Sequence, residues 1–214
     1  MFSVIFDMDG TLLDTQRIFI GAWDYAGDMQ GIKNVGAHIP NVCGMGEPAW
    51  TAYLVDNIKG IDILKFKTDA HQYIVDHLEV KFKKGAKELL EFLKQNGIKM
   101  AIASGSDTQV VKHHMHVVGA EDYFLAIIGG ETVENGKPAP DIFLKAAKEI
   151  DASPRDCFVI EDSENGIIAG KTACMQCIGV PDIVQFKSEV KDKCYAYVDS
   201  LLDVLEIFKE IINK

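Results

Sequence analysis

Short apolar runs that stop abruptly at polar or glycine-rich turns recur along the chain. The first covers Phe2 to Phe6 and ends at Asp7-Met8-Asp9-Gly10-Thr11. Others are Lys99 to Ala103 before Ser104-Gly105-Ser106-Asp107, Phe124 to Ile128 before Gly129-Gly130, and Cys157 to Ile160 before Glu161-Asp162-Ser163. Met175 to Val180 and a weaker segment around Ala196-Tyr197-Val198 complete a set of six predicted strands. The runs are continuously apolar instead of alternating, which is the pattern of strands covered on both faces.

Between the strands the period changes. Ala86 to Gln95 places Leu89, Leu90, Phe92 and Leu93 at helical spacing and is stopped by Asn96-Gly97. Asp107 to Val118, Pro140 to Ile150 and Glu164 to Ala173 read as further helices, with Pro140 suited to a first turn. In Leu201 to Ile212, residues Leu201, Leu205, Phe208 and Ile212 share one face. This alternation from about residue 84 onward predicts an α/β fold, a doubly wound parallel sheet with helices on both faces. Residues 15–80 break it. They carry helical patterns at Ile18 to Ala26, Pro48 to Ile58 and Thr68 to Leu78, show no convincing strand, and are too long for one crossover. They are expected to form an all-helical cap domain inserted into a core of residues 1–14 and 81–214.

Composition narrows the functional classes. The 214 residues are 48% apolar and 25% charged, as in an ordinary globular protein. With 22 basic against 32 acidic side chains, the net charge is −10. That balance argues against binding polymeric nucleic acid or an anionic membrane. No apolar run approaches the ~18 residues of a membrane span. Met1-Phe2-Ser3-Val4 lacks the basic stretch of a signal peptide, so a cytoplasmic location is expected.

Several clusters have plain readings. Cys43, Cys157, Cys174, Cys177 and Cys194 are expected to be reduced, buried structural thiols, since Cys174-x-x-Cys177 has no second pair to complete a zinc site. His113, His114 and His116 do not place three ligands on one helix face and read as a surface cluster. Trp23 and Trp50 fit either the core of the cap or the wall of a substrate cleft.

The polar turns carry the chemistry. In parallel α/β sheets, ligands bind beyond the carboxyl ends of the strands. Asp7 and Asp9, two apart, point the same way in extended geometry. With Glu161 and Asp162 they make a four-carboxylate site, which is unfavourable without a cation. An all-oxygen set favours Mg²⁺. Ser104 adds a hydroxyl, and Lys137, in the loop after the third strand, adds positive charge. Together these groups suit phosphoryl transfer, with a carboxylate attacking phosphorus. Plainer readings exist beside this one. Asp7 to Thr11 fits a strand-end turn, Ser104 to Asp107 a helix start capped by Ser106, and Glu161-Asp162 an acidic helix N-terminus.

Four segments, in order, resemble the motifs of the haloacid dehalogenase superfamily. They are Asp7-Met8-Asp9-Gly10-Thr11-Leu12-Leu13-Asp14-Thr15, Ser104 after its apolar strand, Gly136-Lys137-Pro138-Ala139-Pro140-Asp141-Ile142-Phe143, and Val159-Ile160-Glu161-Asp162-Ser163 with Gly166. The resemblance covers essentially the whole chain and is nearest to the β-phosphoglucomutase-like phosphatases, which have a helical cap between the first and second motifs. It implies a Rossmann-like core and a set of roles. Asp7 would be the nucleophile that forms an aspartyl-phosphate. Asp9 would protonate the leaving alcohol and then activate water. Ser104, Gly105 and Lys137 would bind the phosphoryl group, with the backbone amides of Met8, Asp9 and Gly105 as further donors. Mg²⁺ would be held by Asp7, the Asp9 carbonyl and Asp162, with Glu161 supporting directly or through water. Hinges are expected near Thr15 to Arg17 and near Val80 to Lys84.

Departures from the family pattern select among reactions. Asp9 disfavours dehalogenase and phosphonatase chemistry, and no lysine lies between Lys33 and Lys59 to form a phosphonatase imine. Related mutases carry a cap histidine where this chain has Phe19, and a cap arginine where it has Cys43-Gly44-Met45-Gly46-Glu47. The expected function is therefore Mg²⁺-dependent hydrolysis of a small phosphorylated metabolite, such as a sugar phosphate or a nucleotide-type monophosphate, by a monomer. Alternatives are a sugar phosphomutase and a non-catalytic module that binds phosphorylated ligands.

Overall fold

Six strands form in chain order: β1 (Ser3–Phe6), β2 (Lys99–Ala103), β3 (Ala126–Ile128), β4 (Cys157–Glu161), β5 (Gln176–Gly179) and β6 (Ala196–Tyr197). In the computed structural model, which describes residues 2–213, they make one parallel sheet ordered β3-β2-β1-β4-β5-β6. The helices are α1 (Gln16–Asp28), α2 (Ile39–Val42), α3 (Glu47–Asn57), α4 (Ile63–His77), α5 (Ala86–Gln95), α6 (Thr108–Val117), α7 (Asp141–Glu149), α8 (Glu164–Thr172), α9 (Ser188–Lys191) and α10 (Leu201–Ile212).

Strand periodicity explains why the runs are apolar throughout. Successive side chains of a strand point to opposite faces, so a sheet covered twice needs apolar residues at every position. Val4 and Phe6 of β1 pack with Met100, Ile102 and Ile160 beneath α5, α6 and α10. Ile5, between them, packs with Ala101, Ala103 and Val159 on the other face, under α7 and α8. Register then aligns the strand ends: Phe6 pairs with Ile102 on one side and Ile160 on the other. Asp7, Ser104, Glu161 and Asp162 thus leave the sheet at one edge, where the strand order reverses direction around β1.

Between β1 and α5, helices α1 to α4 build a third apolar cluster that includes the buried Trp23, Leu54 and Phe66. Trp23 is buried, its ring 5.4 Å from Trp50 and 5.7 Å from Phe66. It is therefore core, while Trp50 is half-buried with the Lys67 ammonium 5.4 Å from its ring centre. Helix α4 starts at Ile63, earlier than periodicity suggests, because the Asp62 carboxylate accepts from the amides of Leu64 and Lys65, both at 3.1 Å. The two connections to the sheet run together: Asp14 N–H donates to Lys81 carbonyl at 3.0 Å and Lys83 N–H to Leu12 carbonyl at 2.8 Å. Asp182, just past β5, accepts from Lys83 at 2.7 Å and Arg17 at 3.4 Å, so one buried carboxylate holds both connections.

Two expectations are corrected. His114 is buried while His113 and His116 are exposed, because α6 turns Val111, His114 and Met115 towards the sheet; the trio is not a surface cluster. Cys174 is exposed, sitting with φ +62° just past the end of α8, although Cys177 is buried in β5. All five cysteines are free thiols. Among the described residues, no helix is long and apolar enough to cross a membrane.

The packing makes a direct prediction. Leu90 of α5 is fully buried, whereas Leu64 of α4 is 74% exposed. Leu90→Ala is expected to cost about 2–5 kcal/mol in urea denaturation. Leu64→Ala is expected to stay within about 0.5 kcal/mol of the parent.

Candidate active site

The loop after β1 turns sharply. The Met8 carbonyl accepts from the amides of Thr11, Leu12 and Leu13, and Gly10 takes φ +85°, a left-handed conformation that glycine adopts at little cost. This turn presents Asp7 and Asp9 at the sheet edge. The Asp7 amide continues the ladder to the Ile160 carbonyl at 3.0 Å, which fixes the start of its side chain. Its Oδ1 accepts from the Lys137 ammonium at 2.6 Å. Among the described residues, no protein donor reaches Asp7 Oδ2.

Lys137 comes from the loop between β3 and α7 and is buried. The same ammonium donates to Glu161 Oε1 at 2.6 Å and lies 5.1 Å from the centre of the Phe143 ring. Glu161 Oε2 accepts from both the amide and the hydroxyl of Ser163, each at 2.8 Å. Both Glu161 oxygens are thus engaged, and the residue positions Lys137. Close approach makes this possible: a Cβ on Gly166 would overlap the Glu161 carboxylate, and the Gly166 amide caps onto the Ser163 hydroxyl at 3.0 Å.

Asp9 is held by Thr15, at the end of the first motif, and by Ser106, neither of which was assigned a role toward it. Its Oδ1 accepts from the Thr15 hydroxyl at 2.6 Å and its Oδ2 from the Ser106 hydroxyl at 2.7 Å. Ser104, expected to bind the phosphoryl group, stands 3.5 Å from Asp9 Oδ2, the outer limit of a hydrogen bond, and its oxygen accepts from the Ser106 amide at 3.1 Å. Ser106 is not the cap of α6; Asp107 occupies that position. Gly105 follows Ser104 in the same turn. Among the described residues, the amides of Met8, Asp9 and Gly105 donate to no protein acceptor, so they are available to an anion.

Asp162 faces the Asp9 loop. Its Oδ1 accepts from Thr11 at 3.4 Å and its Oδ2 from Gln16 Nε2 at 2.6 Å. The same Gln16 nitrogen donates to the Asp9 carbonyl at 2.9 Å, so two oxygens converge on one small donor. Among the described residues, no three His, Cys, Asp or Glu side chains gather as a ready metal cage. The donor set still fits Mg²⁺, which takes one or two carboxylates and completes its octahedron with water and phosphate oxygens. Asp7, the Asp9 carbonyl and Asp162 supply that kind of set, all oxygen.

The segment between α2 and α3 closes over this edge: Asn165 Nδ2 of α8 donates to the Cys43 carbonyl at 2.9 Å, and Cys43 Sγ lies 3.8 Å from Gln16 Oε1. Burial first, then the charge of Asp162, pushes the Cys43 thiol up to about 12, so it stays protonated and unreactive.

Comparison with known proteins gives the same frame. The family model of haloacid dehalogenase-like hydrolases matches residues 3–173. The chain belongs to this family. It is 28% identical to the phosphorylated carbohydrates phosphatase of Thermotoga maritima, over 99% of this chain and 100% of that one. It is 31% identical to the β-phosphoglucomutase of Bacillus subtilis, over 84% of this chain and 83% of that one. The solved structure of a hydrolase from Pseudomonas syringae superposes with TM-score 0.85 at 26% identity, covering 99% of both chains. Against a longer relative, the bifunctional riboflavin kinase/FMN phosphatase of Arabidopsis thaliana, the chain spans 54% of the length.

Electrostatics of this hydrolase follow from burying three acids, Asp7, Glu161 and Asp162, with one lysine beside the half-buried Asp9. Desolvation raises Asp7 to about 8, with Glu161 and Asp9 adding repulsion and Lys137 pulling the other way. Desolvation also raises Asp162 well above the usual carboxylate range, reinforced by Glu161 and Asp7. Burial alone would lower the Lys137 ammonium, but Asp7 and Glu161 more than offset it and hold it charged beyond the ordinary lysine value.

A pH dependence follows. Between the ordinary Asp value of 3.8 and about 8, folded Asp7 keeps a proton that the unfolded chain has released. Stability of the chelator-treated protein therefore falls as pH rises through that window. Asp7→Asn removes this contribution. Its melting temperature in chelator is expected to decline less from pH 5 to pH 8 than that of the parent, and equal slopes would remove Asp7 as the cause.

Proposed function

We propose that this hydrolase cleaves the phosphomonoester of a small metabolite, such as a sugar phosphate, through an aspartyl-phosphate on Asp7. The observation that carries the reading is the state of Asp7: one oxygen is held by Lys137 and the other meets no protein donor, at the end of the central strand. The full-length relation to a phosphorylated carbohydrates phosphatase supports the substrate class.

In this reading the phosphoryl group sits among the Lys137 ammonium, the Ser104 hydroxyl and the amides of Met8, Asp9 and Gly105. Asp7 Oδ2 attacks phosphorus and the P–O bond to the alcohol breaks. Asp9, oriented by Thr15 and Ser106, donates its proton to the departing alkoxide oxygen. It then takes a proton from the water that attacks the aspartyl-phosphate, releasing inorganic phosphate and regenerating Asp7. Asp7, the Asp9 carbonyl and Asp162 would hold Mg²⁺, which supplies positive charge against the acids and the phosphoryl oxygens. Residues 15–80 act as a cap that excludes bulk water, hinged where Asp182 grips Arg17 and Lys83.

The 31%-identical β-phosphoglucomutase keeps a phosphomutase as the second reading. A mutase must hold a second phosphate in the cap. Phe19 packs into the apolar cluster of the helical segment, and residues 43–47 carry no basic side chain, so hydrolysis is favoured.

The purified protein is expected to release phosphate from aryl phosphates only with Mg²⁺, and Asp7→Asn to lose at least ~10³-fold in kcat. Asp9→Asn is expected to slow alkyl phosphates by ~10²–10⁴-fold and aryl phosphates far less, because a phenolate leaves without an acid. Equal slowing of both would remove Asp9 from the acid role. Interconversion of hexose phosphates without phosphate release would establish the mutase instead.

A further inference from the structure

Gln16 is the first residue of α1, at the point where the chain leaves the sheet for the helical segment, and its side chain is buried. Its Nε2 spans 2.6 Å to Asp162 Oδ2 and 2.9 Å to the Asp9 carbonyl. The Asp9 carbonyl and the Asp162 carboxylate are two of the three groups assigned to Mg²⁺ under the proposed function, and the inference rests on that reading. The amide is tightly housed: a Cβ on Gly10 would stand 2.6 Å from Gln16 Cδ and would also overlap Asp162. Gln16 Oε1, at the other end of the amide, faces the Cys43 thiol at 3.8 Å, on the segment that Asn165 ties to the core.

We infer that Gln16 is a tethered stand-in for the cation: its amide closes the Asp9 carbonyl and Asp162 in the metal-free protein, and Mg²⁺ has to displace it. An amide N–H is the right donor for this place. It carries enough positive polarity to satisfy a carboxylate and a carbonyl that would otherwise face one another. It carries no full charge, so a divalent ion outcompetes it. The nitrogen stands within 2.9 Å of both groups, in the space that an ion taking them as ligands at ~2.0–2.1 Å would need. Displacement also withdraws Oε1 from Cys43, so metal loading loosens one tether of the segment lying over the site. The residue thereby sets metal affinity and links it to the position of the helical segment.

Calorimetric titration of MgCl₂ into chelator-stripped full-length protein tests this without turnover, alongside melting of the stripped and loaded forms. Gln16→Ala is expected to bind Mg²⁺ about tenfold more tightly than the parent, equivalent to ~1.4 kcal/mol. Stripped of metal, it is expected to melt at a lower temperature than the stripped parent and to gain more on adding Mg²⁺. Gln16→Met, which keeps the length but cannot donate, should behave in the same way if Gln16→Ala folds poorly. Gln16→Lys, a tethered true cation, is expected to melt higher than the parent without metal and to bind Mg²⁺ weakly. Unchanged or weaker Mg²⁺ binding in both Gln16→Ala and Gln16→Met, with normal binding by the parent, would overturn the inference and leave the metal assignment standing. No Mg²⁺ binding by parent or variants would overturn the metal assignment and this inference together.

Discussion

A buried ammonium shared between two carboxylates fixes the geometry of the site. Lys137 reaches from the loop after β3 to Asp7 at the end of β1 and to Glu161 at the end of β4, at 2.6 Å each. The three segments are far apart in sequence, and only the parallel register brings their ends to one edge. Taking these charges out of water is expensive, and removing one partner from such a network typically costs about 3–5 kcal/mol because the remaining charge is stranded. The arrangement is tolerated because Lys137 and Glu161 each have more than one partner. Glu161 is closed by Ser163 on its far oxygen, and Ser163 in turn starts α8. Asp7 alone keeps an oxygen without a protein donor.

The same scarcity of positive charge explains the rest of the edge. Burial first and then the neighbouring acids push both Asp7 and Asp162 towards protonation, a shortage of positive charge that a divalent cation would make good. The net charge of −10 therefore says little about small anionic ligands. In the proposed function, receptivity to phosphate is local, built from Lys137, backbone amides without a protein acceptor and the cation that the oxygens would attract. Asp182 repeats the device on a smaller scale where the helical segment joins the sheet. Its carboxylate gathers Arg17 and Lys83, one from each connection to the helical segment, and holds the two chains at a fixed crossing.

Much of this was legible in the sequence because strand ends are marked by an abrupt change from apolar to polar. The parallel sheet, the helices α5 and α10 and the helical character of residues 15–80 follow from periodicity alone. The grouping of Asp7, Asp9, Ser104, Lys137, Glu161 and Asp162 follows once strand ends are placed together. Less legible were residues whose role depends on which way a short side chain points. Thr15 closes the first motif and Ser106 reads as a helix cap, yet both hydroxyls turn onto Asp9. Gln16 carries no motif signal, because its contacts span 146 positions to Asp162. β3 is shorter than its apolar run because it is an edge strand, pairing only with β2 from Ala101 opposite Ala126. His114 was misjudged because spacing excludes a shared metal face but does not decide which histidine turns inward.

Everything in the functional account depends on a covalent bond between phosphorus and one carboxylate. Acid-quenching the Mg²⁺-loaded protein during turnover of an aryl phosphate, reducing it with borohydride and mapping its peptides reads that bond directly. An acyl-phosphate is reduced while a free carboxylate is not, so the account predicts homoserine at position 7 and nowhere else. Steady turnover with residue 7 recovered as unmodified aspartate, or with the reduced residue at Asp9, Glu161 or Asp162, would contradict it.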